Sequence, residues 1–101
     1  MDTKQLIIDT KARFAHNAAR EYLKEKYNGK LLIAHAGGLW RADKDTISFL
    51  AALIADTVVL LDTFNKPISV NRTALLEVLI EKYTEVMTEW HREWTAVEEA
   101  R

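Results

Sequence analysis

The chain contains no cysteine in 101 residues, which removes disulfides, thiolate metal sites and thiol nucleophiles together. Its formal net charge is only −1, so no excess of one sign argues for nucleic acid or an anionic membrane as partner. No apolar run approaches the ~20 residues of a membrane span; the longest candidate, Ile47 to Leu61, is interrupted by Asp56. The N-terminus lacks a basic region followed by an apolar block, so a signal peptide is not expected and a soluble protein of a reducing cytoplasm is. Proline occurs once and glycine three times, leaving long stretches with nothing to break a helix.

What is present is a globular composition, 49% hydrophobic, that suits one domain over residues 1–101. The longest unbroken pattern runs from Asn71 to the C-terminus. Leu76, Ile80, Tyr83, Met87, Trp90, Trp94 and Val97 repeat at spacings of four and three, the signature of a single apolar helix face. Asn71 suits an N-cap, with Val70 and Leu75 placed as a hydrophobic staple. A helix over 72–99 follows.

A second long helix is expected over 3–28, opened by Asp2 or Thr3 with Gln5 completing a capping box, and closed by Asn28-Gly29. Its seam of Ile8, Ala12, Ala15, Ala19 and Tyr22 offers small residues to the bulky seam of the C-terminal helix. Residues 1–30 carry +3 and residues 72–101 carry −3, which also favours pairing of the two helices.

Between them the period changes. Two short apolar runs within 30–42, separated by Gly37-Gly38, predict a hairpin. Asp43 or Asp45 then caps a helix over 46–55, with Ile47, Leu50, Leu53 and Ile54 turned inward. Thr57 to Asp62 is β-branched and reads as a buried strand, returning through Ile68-Ser69-Val70 as a second hairpin over 57–70. The fold class expected is α+β, two long helices packed with a small, mainly antiparallel sheet.

From Leu39 onward, Leu-Trp-Arg-Ala-Asp, a short Ile/Leu/Ala helix, Val-Val-Leu-Leu-Asp-Thr-Phe-Asn, Ile-Ser-Val-Asn and an amphipathic helix follow in turn. This resembles a small domain of unknown function in phage tail-fibre and tail-assembly proteins, and short uncharacterised proteins of T4-like phages, including those infecting cyanobacteria. Matching positions are Trp40, Asp43, Ile47, Leu60, Asp62, Asn65, Val70 and Leu75, with the match covering roughly residues 39–97. The first helix lies outside it. The chain departs from the family at Val58-Val59, where an aromatic is usual, and in its longer final helix. The resemblance implies a structural or assembly role in a phage particle, with the host-cell cytoplasm or the virion as its location.

No catalytic constellation stands out. His16 and His91 fall on the two long helices, Glu89 and Glu93 flank His91, but zinc needs three or four converging ligands and no His-x-x-x-His or Glu-x-x-His spacing occurs. No metal or other cofactor is expected. Gly37-Gly38 is followed by Leu39 and Trp40 rather than the Lys-Ser/Thr of a phosphate loop. Arg41 and Lys44 beside Trp40 are too few cations for a nucleic-acid interface.

Glu77, Glu81, Glu85, Glu89 and Glu93 form a stripe that is either solvated or lined by basic side chains of the first helix or a partner. The function expected is non-enzymatic. It is protein binding through the long helices, with Tyr83, Met87, Trp90, Trp94 and Val97 as the interface and a homo-oligomer as the outcome. The alternatives are an accessory protein that docks on a host enzyme, and a small enzyme with a site at His35, Asp43 and Asp62.

Overall fold

The computed structural model describes residues 3–99, with side chains from residue 15 onward. The order is α1 (Thr3–Lys30), β1 (Leu32–His35), β2 (Gly38–Arg41), α2 (Lys44–Ala52), β3 (Thr57–Leu61), β4 (Pro67–Asn71) and α3 (Arg72–Glu99). The class is α+β, with two separate two-stranded antiparallel sheets, β1–β2 and β3–β4. The expected Asp2 cap lies outside the described residues, as do the side chains of Gln5, Ile8 and Ala12.

α3 begins where its cap predicts. Ala74 N–H donates to Asn71 Oδ1 at 2.9 Å, satisfying one of the free donors of the first turn. α2 is capped by Asp43 rather than Asp45, Thr46 N–H donating to Asp43 Oδ1 at 2.9 Å. It ends earlier than expected, because Leu53 turns extended and gives its N–H to Leu50 O. Ile54, expected to face inward, therefore lies beyond the helix and is 92% exposed. Arg72 closes this end of α2: its guanidinium donates to Ala55 O at 3.1 Å and lies 3.4 Å from Leu50 O, near the negative pole of the helix.

Gly29 does not stop α1, which continues through it to Lys30. The turn between β1 and β2 is Ala36-Gly37, both at positive φ (51° and 83°), one residue earlier than the Gly37-Gly38 reading. That pair of left-handed residues matches the twist of a two-residue hairpin. Gly38 already belongs to β2, and its use is different. A Cβ there would lie 2.6 Å from Ile68 Cδ1 and 3.0 Å from the Trp40 ring, so the bare backbone lets the two hairpins meet.

The core gathers Leu23, Tyr27, Leu31, Trp40, Ala42, Leu50, Val70, Leu75, Leu79 and Val86. On α3 the buried residues are Leu75, Leu79 and Val86, one position ahead of the predicted Leu76, Ile80 and Met87. The N-terminal half of α3 is covered by α2, β1 and β4, which pulls the buried stripe round by one residue.

Candidate protein interface

The C-terminal half of α3 runs antiparallel along α1. His16 and Arg20 meet Glu98, Lys26 and Tyr27 meet Glu93, and Lys30 reaches Glu89. Tyr27, buried, stacks on Trp90 with ring centroids 6.0 Å apart and donates its hydroxyl to Glu93 Oε1 at 2.5 Å. Arg20 lies 4.7 Å over the Trp94 ring. The tryptophans of the predicted interface are thus contacted from within the chain, and Tyr83, Met87, Trp90, Trp94 and Val97 are all half-buried.

The face of α1 that makes these contacts is not the expected one. His16, Arg20, Leu23 and Tyr27 lie toward α3; of the expected seam Ala19 is half-buried beside them, while Ala15 and Tyr22 are exposed. Sequence periodicity missed this face because two of its members are a histidine and an arginine. Their signal was present only in pairing, as polar side chains that continue the helical spacing of Lys26 and Lys30 and face Glu98 as those lysines face Glu93 and Glu89. The acidic stripe accordingly divides: Glu89 and Glu93 meet α1, while Glu77, Glu81 and Glu85 are exposed and make no ion pair among the described residues.

The charges respond to this packing. The Tyr27 hydroxyl and then the Lys26 ammonium hold Glu93 below the usual carboxylate range. The same contact with Glu93 raises Lys26 and, together with burial, raises Tyr27. Burial pushes Glu98 up, but Arg20 and His16 outweigh it and leave it lowered.

His35, Asp43 and Asp62 are not joined by any hydrogen bond among the described residues. Asp43 is committed to the α2 cap and to Arg41 Nε at 3.1 Å. Asp62, 5% exposed, takes Phe64 N–H and Lys66 N–H on one oxygen at 2.9 and 3.0 Å, and Leu39 N–H on the other at 3.3 Å. The Lys66 N–H first, then those of Leu39 and Phe64, hold Asp62 below the usual range. This carboxylate closes the β3–β4 turn and fastens it to β2, aided by Thr63 N–H donating to Leu39 O at 2.9 Å. Of His35, the backbone oxygen takes Trp40 Nε1–H at 2.8 Å. No group of three or more His, Asp or Glu suited to a metal ion occurs among the described residues. No described helix is long and apolar enough to cross a membrane.

The open apolar surface lies elsewhere, on the second hairpin. β3 is not buried on both faces: Val58 and Leu60 turn to the core, Thr57, Val59 and Leu61 to solvent. Their cross-strand partners on the outer face are Asn71, Ser69 and Pro67, all exposed. Val59 is 67% exposed, Leu61 63%, and Phe64 at the turn 68%. A continuous run of five apolar or β-branched residues reads the same whether one face is covered or two, so the sequence could not expose this surface. No family model, no curated protein and no solved structure matches the chain.

Proposed function

We propose that this is a non-enzymatic protein that works by binding protein, a structural or assembly component of phage type. The observation that carries protein binding is the outer face of β3–β4. Six strand positions face solvent there, none is charged, and Val59, Leu61 and Pro67 lie together on it. Contiguous exposed apolar surface of this kind marks an interface. The half-buried tryptophans, held by Tyr27 and Arg20, support a role for the α1–α3 pair as a stiff stem rather than as the contact surface. The phage-particle context rests on the resemblance of residues 39–97 alone.

The test compares the tagged chain with its Leu61→Lys variant, recovered from infected host cells and from purified virions, after circular dichroism shows that the variant keeps its fold. Proteins bound by the original and lost by Leu61→Lys support the reading, and recovery in virions supports the structural role. The same proteins bound equally by both chains would overturn it.

A further inference from the structure

The backbone of β3 carries a second feature that its side chains do not show. Arg72 N–H donates to Asp56 O at 2.7 Å and Asp62 N–H to Lys66 O at 3.1 Å. In an antiparallel ladder hydrogen-bonded pairs alternate with open ones, so 56, 58, 60 and 62 bond to β4. Thr57, Val59 and Leu61 therefore direct their N–H and C=O groups away from β4. Thr63 has the same parity and gives its outward N–H to Leu39 O. The outward groups of Thr57, Val59 and Leu61 have no partner among the described residues.

Such an edge is normally guarded by a lysine, a proline or a bulge. β4 has Pro67 at its start with Lys66 before it, whereas Thr-Val-Val-Leu-Leu itself holds no charge, proline or bulge, its nearest charges being Asp56 and Asp62 at its two ends. We infer that β3 is the edge through which two copies of this chain join, antiparallel about Val59, into one four-stranded sheet. This rests on the reading above that the protein binds protein, and it uses the edge of β3 while leaving the outer face of β3–β4 open.

The strand is complementary to itself in that register. Val59 pairs with Val59 of the second copy and Thr57 with its Leu61, all hydrogen-bonding positions, so three pairs of two bonds satisfy every outward group. On the outer face the same pairing sets valine beside valine and threonine beside leucine, favourable cross-strand neighbours.

Edge pairing leaves the outer side chains of Val59, Leu61 and Pro67 largely in solvent, so the six backbone hydrogen bonds and the lateral strand contacts carry the association. A seam of one strand edge falls short of the roughly 1,000 Å² of a stable specific interface. The dimer is accordingly weak and concentration-dependent. The register also brings Asp56 beside Asp62 of the second copy, and like charges across strands oppose pairing.

Light scattering over a concentration series should show the mass rising from the 11.6 kDa of one chain toward twice that value. Amide exchange by NMR is the sharper measurement. Protection of the Thr57, Val59 and Leu61 N–H groups should grow at least tenfold with concentration, while that of Val58 and Leu60 stays constant. Val59→Pro removes one outward donor and no β3–β4 bond, so it should stay monomeric where the unaltered chain is half dimeric. A doubled mass without new protection at 57, 59 and 61 would place the seam elsewhere and overturn the inference. A monomer throughout overturns it too. In that case, loss of foreign partners by Leu61→Lys leaves the protein-binding reading standing, and equal capture removes both.

Discussion

Tyr27 and Glu93 are joined by a 2.5 Å hydrogen bond that links the C-terminal halves of α1 and α3, with the phenol ring buried against Trp90. Lys26 shares the same carboxylate at 3.0 Å. The three side chains contribute to the pH response of the helical stem, as does Glu98 with Arg20 and His16.

Glu93 is lowered in the folded chain, so its contribution is present above its unfolded value of about 4.3 and is lost as pH falls through the lower folded value. Tyr27 and Lys26 are raised, so their contributions are present below about 10 and are lost as pH rises through the raised values. Thermal melts should be flat between about pH 5 and 9 and fall on both sides. Glu93→Gln should lower the plateau and weaken both declines. Unchanged limbs in that variant would show that other groups control them.

The face of α1 that meets α3 can be read by a pair of substitutions. Leu23→Ala should lower unfolding free energy in urea by about 2–5 kcal/mol, the range for a buried leucine. Ala15→Leu should stay within about 0.5 kcal/mol of the original, because Ala15 is exposed. A large loss at Ala15 would mean that the alanine face is the packed one.

Two glycines should respond in opposite directions. Gly29 lies within α1 with nothing near a built Cβ, so Gly29→Ala should stabilise by about 0.5–1 kcal/mol. Gly38→Ala pushes a methyl into Ile68 Cδ1 and the Trp40 ring and should cost about 1–3 kcal/mol. Ile68→Val removes the nearest atom, so the double variant should lose less than the two single losses combined. Simple additivity would show that the hairpins do not meet through Gly38.

Asp62 fastens the second hairpin to the first through backbone donors on both sides. Asp62→Ala leaves three N–H groups without their acceptor and should lower the melting temperature by more than about 5 °C. Its effect should be greatest near neutral pH and shrink as pH falls through the lowered folded value, where the carboxylate is lost in the original chain as well. A pH-independent difference would separate the loss from the charge.

The sequence by itself determined the elements and most of their limits. Asn71 and Asp43 each offer a side-chain oxygen at a helix start, and a local hydrogen bond needs no distant partner to be read. The absence of Gly and Pro from 72–99 likewise guarantees an unbroken α3. Only the tertiary structure decided which faces are used. The alanine seam of α1 is a valid apolar stripe, yet the helix turns His16 and Arg20 inward because Glu98 and the Trp94 ring await them. The apolar run of β3 carries no mark of which side will be covered, and its open edge depends on the parity of a ladder anchored at Asp56 and Asp62. Propensity and capping act within a few residues, whereas burial and pairing depend on what lies across the fold, and a linear pattern does not contain the neighbour.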